Sequence, residues 1–133
     1  TLTDSSAASD VYKRQGTRFV SSLESPVHEN FKGAIVNGSE QGTYILNKKA
    51  KPCIRALKTE LTDKIYEVGL MDMSALSGIK DLYFGGDMNA APALAGQSIG
   101  LINEVLPVEQ IIKQTMQEFN SVCESLSNSK FEL

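Results

Sequence analysis

The stretch Gly86 to Val105, GDMNAAPALAGQSIGLINEV, places an Ala-Gly-Gln-Ser turn at the head of an apolar segment that contains glycine. Small residues there let a second backbone or a flat ligand come close. The apolar run predicts a helix over Pro92 to Asn103, with Gly96 and Gly100 one turn apart. No apolar run in the chain approaches the length of a membrane span, so this spacing means close packing of elements and not a dimer in lipid. Asp87 after Gly86 suits an Asx-type turn leading into that helix.

Working outward, Pro107 opens the last helix, and Val108, Ile111, Ile112, Met116, Phe119, Val122 and Cys123 form a stripe expected to be buried. After Ser125 the polar Ser127-Asn128-Ser129-Lys130 tail is expected to fray. Upstream, Met71 to Gly86 reads as a loop with a short helix capped by Ser74 and running to Ile79. Ile54, Leu57, Leu61, Ile65 and Val68 recur at spacings of three and four, which predicts an amphipathic helix over Cys53 to Val68, stopped by Gly69. Thr43 to Leu46 is a brief β-prone run, and Asn47 to Pro52 is a polar loop. Glu24 to Val36 suits a helix with Pro26 in its first turn, ended by Asn37-Gly38. Gly16 to Val20 reads as the end of a strand or the turn after it. The two strand segments find no partner of comparable quality in the chain, so their backbone groups call for one elsewhere.

The chain has 133 residues, room for one core. Its net charge of −3 at pH 7 argues against nucleic acid as a partner, which needs clustered Lys and Arg. The one basic cluster, Lys48, Lys49 and Lys51, reads as a solvated loop. Cys53 and Cys123 have no metal-ligand spacing, and the expected reading is two buried free thiols in a reducing cytoplasm. Asp72 and Asp81 likewise show no metal spacing, and no metal is expected. Membrane association is not expected either.

Gly16-Thr17-Arg18-Phe19, the run Glu24-Ser25-Pro26-Val27-His28, Gly86-Asp87 and Leu94 to Ile102 together resemble the C-terminal part of the nitronate monooxygenase family, formerly the 2-nitropropane dioxygenases. That family is in turn similar to the FMN-dependent enoyl reductases of fatty-acid synthesis. The likeness runs from Gly16 to about Ser125. It implies an α/β fold, the C-terminal fragment of a (β/α)8 TIM barrel with its helical lid. By that resemblance 16–23 is the end of the eighth strand with a phosphate-binding turn, 24–85 the lid, 86–126 the closing helices and 127–133 the tail. The missing partner of the strands is then the barrel.

The resemblance also implies the chemistry. FMN is the cofactor, with Gly16 and Thr17 forming half of a phosphate cradle and Ala95, Gly96 and Gln97 lying near the flavin. A glutamine amide carries donors and an acceptor, which suits the mixed edge of the ring; Ser98 is read as satisfying local backbone. The implied reaction of the parent is oxidation of a nitronate by O2. The alternative is a flavin or enoyl reductase drawing on NAD(P)H. No catalytic residue is assigned within this chain, because the family's histidine stands in a Gly-Gly-His context on an earlier strand. His28, the single histidine, lacks those neighbours and reads as a surface or capping residue. A reading from another class is a noncatalytic helical interaction module, warranted by the absent base and three amphipathic faces.

Ser5 to Gln15, SSAASDVYKRQ, resembles the translation of a transposon-type sequencing adapter, without a mismatch over eleven codons. Residues 1–15 are therefore expected to be an adapter-derived artefact without order, and the natural protein to continue upstream of Gly16.

Overall fold

The computed structural model describes residues 16–129. Strands β1 (Thr43–Leu46) and β2 (Ile54–Leu57) form a two-stranded antiparallel sheet, with Thr43 opposite Leu57 and Leu46 opposite Ile54. On the other edge of β2, residues 93–95 run antiparallel to it: the Leu57 amide donates to the Ala93 carbonyl at 2.8 Å and the Ala95 amide to Arg55 at 3.3 Å. β1 thus has its partner inside the chain, contrary to the expectation that both strand segments lack one.

Two expected helices give way to this sheet. The helix predicted over Cys53 to Val68 splits into β2 and helix α2 (Glu60–Val68). The cause is local chemistry at Thr59, whose hydroxyl accepts from the Thr62 amide at 3.2 Å while Thr62 Oγ1 accepts from the Thr59 amide at 2.7 Å. This reciprocal cap fixes the helix start and leaves Ile54 to Leu57 free to pair as strand. Gly69, at φ 75°, ends α2 in the left-handed conformation, as expected. The helix predicted over Pro92 to Asn103 is an extended segment followed by a 3-10 helix, Gln97–Leu101, because the backbone at 93 to 95 is spent on β2.

Helix α1 (Glu29–Val36) starts five residues later than expected, where the His28 imidazole Nδ1 accepts from the Asn30 amide at 3.1 Å. His28 is thus a capping residue, as read from the sequence. Asp72, not Ser74, caps a 3-10 helix at Met73–Leu76, and α3 (Ile79–Tyr83) follows. Asp87 makes the expected Asx turn, its carboxylate accepting from the Asn89 amide at 3.0 Å. Phe31 and Ile35 of α1, Leu57, Leu82, Ala91, Ala93, Ala95, Ile99 and Ile102 form the core. The small residues of the Gly86 to Val105 stretch are there because sheet and helices close on them.

Residues 16–20 are helical, neither the strand end nor the turn after it that was expected. Residues after them are tied to the far end of the chain. Ser22 bridges Leu106, the Leu23 amide donates to the Leu106 carbonyl at 3.0 Å, and the Glu24 carboxylate accepts from the Val108 amide at 2.9 Å, capping the last helix. That helix, α4 (Val108–Ser127), starts where expected and runs through Ser127, past Ser125 where fraying was expected to begin. Its stripe is not buried as expected: Ile111 is 3% exposed, but Ile112 is 50%, Met116 53% and Phe119 61% exposed. Cys53 and Cys123 are both exposed, which corrects the expectation of buried thiols. Among the described residues no helix is long and apolar enough to cross a membrane, and no cluster of three or more metal-ligating side chains occurs. The expectations for 1–15 lie outside the described residues.

Candidate functional site

The two anchor motifs, 79 residues apart, meet in one hydrogen bond: the Gly96 amide donates to Thr17 Oγ1 at 2.9 Å. Thr17 is 7% exposed, so water competes little for this bond. Arg18 adds a second tie, its guanidinium donating to the Glu104 carbonyl at 2.9 Å and to Ser21 Oγ at 3.1 Å. Burial lowers the pKa of Arg18 and the Glu104 carboxylate partly offsets it; a guanidinium titrates so high that the charge persists at neutral pH. The segment 16–24 is thereby held against 94–108 at both of its ends.

Around the Thr17 to Gly96 bond lie the other residues singled out from the sequence. A Cβ placed on Gly16 would meet nothing within 4 Å among the described residues. A Cβ on Gly96 would lie 3.5 Å from Thr17 Oγ1 and 3.8 Å from Ser98 Oγ, ordinary contact distances. Gln97 is exposed at the first position of the 3-10 helix. Ser98 Oγ is buried with no hydrogen-bond partner among the described residues. The reading of Ser98 as satisfying local backbone is therefore not what the structure shows. A groove of about 530 Å³ runs beside it, between Arg18, Phe19, Ile102, Ile111 and Met116.

These positions permit a test of fit to FMN. The amides of Ala95 and Gly96 are committed, to Arg55 and Thr17 respectively, and so are not free donors. What remains on this side, among the described residues, is the exposed Gln97 amide and the orphan Ser98 hydroxyl. An unpaired buried hydroxyl beside open space is a place where a polar ligand atom would be stabilised. Among the described residues the free polar groups here are those of Gln97 and Ser98, the ones a flat polar cofactor would meet; the buried Thr17 hydroxyl is already bonded to Gly96. His28 contributes nothing there: its ring is engaged with Asn30 and packs where a Cβ on Gly86 would sit.

Sequence reading missed the roles of Arg18, Glu24 and Ser98. The first two act on Glu104 and Val108, more than eighty residues away, so no local spacing signals them. The orphan state of Ser98 exists only once the chain is folded.

No protein-family model matches the chain, and no curated protein does. Several solved structures match it, two of FabK among them. FabK from Thermotoga maritima is 34% identical, with a TM-score of 0.76, over 84% of this chain and 37% of that one. The chain resembles a part of FabK. A methionine-to-alanine mutant of FabK from the same organism is also 34% identical, with a TM-score of 0.72, over 84% of this chain and 35% of the other. The chain thus spans little more than a third of the length of these relatives. Its fold is α/β, mostly helical with a short two-stranded sheet, and it corresponds to a fragment of a TIM barrel like that of FabK.

Proposed function

We propose that this chain is part of an FMN-dependent oxidoreductase in which Gly16 and Thr17 flank the cofactor phosphate and Gln97 faces the ring. The observation that carries this reading is the Thr17 to Gly96 hydrogen bond, which joins the two motifs that resemble flavin-enzyme anchors. The likeness to FabK, an FMN-dependent enoyl-ACP reductase, also supports it. Bound flavin would supply hydride or electron transfer. The residues of this chain bind and orient: the helical turn at 16–20 and the 95–98 turn are pinned together, and Gln97 offers both donor and acceptor to one edge. No proton transfer is assigned to His28, whose Nδ1 already accepts from Asn30.

Of the two activities that the sequence resemblance implies, enoyl reduction by NAD(P)H is the one supported by FabK. Nitronate oxidation by O2 rests on the anchor motifs alone, which suit both. A small-molecule substrate and a cytoplasmic setting go with either.

The test is to extend the reading frame upstream of Gly16 in the source DNA, express the longer protein, and record its visible spectrum. Bound flavin that is bleached by NAD(P)H and reoxidised by a 2-enoyl thioester is the expected result, with residues 16–133 alone binding FMN weakly and turning nothing over. Reoxidation by O2 with nitronate consumption and no NAD(P)H oxidation would favour the monooxygenase. A flavin-free longer protein would refute the proposal and leave the noncatalytic helical module.

A further inference from the structure

Thr17 sits in a motif that reads as a phosphate turn, yet its side-chain oxygen is occupied within the fold. Oγ1 accepts the Gly96 amide at 2.9 Å, and Thr17 is buried. Gly96 is the residue immediately before the 3-10 helix Gln97–Leu101 and adopts φ −86°, ψ 171°, an extended conformation that nothing in its own side chain enforces. Among the described residues its amide makes one of the two bonds that hold this turn to other segments, the other being Ala95 to Arg55. Gln97, next in the chain, is exposed, and its own amide has no partner among the described residues.

From this geometry we infer that Thr17 is a positioning residue: its hydroxyl fixes the Gly96 amide and so sets where the Gln97 side chain stands. The step from position to ligand rests on the flavin reading above; the latch itself does not. The physical reason is directional. Gly96 without the Thr17 acceptor has a wide choice of φ and ψ, and Gln97 moves with every change at Gly96. One side-chain acceptor on a different segment removes that freedom and couples the 16–20 turn to the 95–98 turn. A valine at position 17 keeps the shape and removes the acceptor, whereas serine keeps the acceptor.

The experiment uses the longer protein that carries this chain, with free FMN as the probe. Amide hydrogen exchange is followed at Gly96 in wild type, Thr17→Val and Thr17→Ser, and FMN affinity is measured in the same proteins with and without Gln97→Ala. Wild-type Gly96 is expected to exchange much more slowly than Gln97. Thr17→Val is expected to lose on the order of tenfold to a hundredfold of the Gly96 protection, the range for stranding a buried donor, and Thr17→Ser to keep it. Gln97→Ala is expected to weaken FMN binding in wild type and in Thr17→Ser, and to add little in Thr17→Val.

Equal exchange at Gly96 and Gln97 in wild type overturns the latch even if Thr17→Val fails to fold. Unchanged Gly96 protection in a folded Thr17→Val does the same. A full additional effect of Gln97→Ala in Thr17→Val shows that the latch does not position Gln97. If wild type binds no FMN, the flavin reading falls while the exchange data still decide the latch.

Discussion

Gly96 and Gly100 stand one turn apart in sequence, and the structure gives them opposite consequences on substitution. A Cβ at Gly100 would lie 2.8 Å from the Glu40 backbone nitrogen and 3.1 Å from its Cα. Glu40 cannot retreat without moving the turn that holds it, pinned by the Gly38 amide on Ile35 at 3.1 Å and the Gly42 amide on Ser39 at 2.8 Å. Forcing a methyl into such a contact costs about 1–3 kcal/mol. At Gly96 the nearest atoms would be at 3.5 and 3.8 Å, and φ −86°, ψ 171° is ordinary for any residue. Alanine there narrows the unfolded ensemble and stabilises by roughly 0.4–1 kcal/mol. Gly100→Ala is therefore expected to unfold at lower urea than wild type and Gly96→Ala at equal or higher urea, with unchanged slopes, by far-ultraviolet circular dichroism. Equal destabilisation by both, or none by Gly100→Ala, would refute the close approach of the 3-10 helix to the Glu40 turn.

Three further outcomes are expected. Thr62→Val removes the acceptor for the Thr59 amide and the donor to the Leu57 carbonyl at a fully buried site, so a loss of about 1–3 kcal/mol should appear in the same urea assay. Burial raises the pKa of the half-buried Tyr83 phenol above its usual value; the neutral form is the one the fold favours, so its contribution is complete below about pH 10 and is lost as pH rises through the folded value. Alkaline titration of thermal stability should accordingly fall less steeply in Tyr83→Phe. The uncovered α4 face of Ile112, Met116, Phe119 and Val122 should make residues 16–133 self-associate, and Ile112→Glu with Phe119→Glu should shift sedimentation towards monomer.

The start of α4, the left-handed stop at Gly69, the capping role of His28 and the Asx turn at Asp87 were all legible in the chain, because each depends on neighbours a few residues away. The resemblance carried by Gly16 to Phe19 and Leu94 to Ile102 pointed to the TIM-barrel class for the same reason: motifs survive as local strings. Periodicity failed at Ile54 to Leu57, where a three-four spacing became strand. Pairing with β1 on one edge and with 93–95 on the other outweighed a weak helical preference. It failed again at Pro92 to Asn103, whose backbone is committed to that sheet.

What sequence determined by itself is the set of elements whose ends are capped locally and the identity of the two anchor motifs. Tertiary structure alone decided that Thr17 holds Gly96, that Glu24 caps α4, that Ser98 is left unpaired and that most of the α4 stripe faces outward. Those facts join residues about eighty positions apart or depend on what surrounds them, and a hydrogen bond of that kind leaves no periodic trace along the chain.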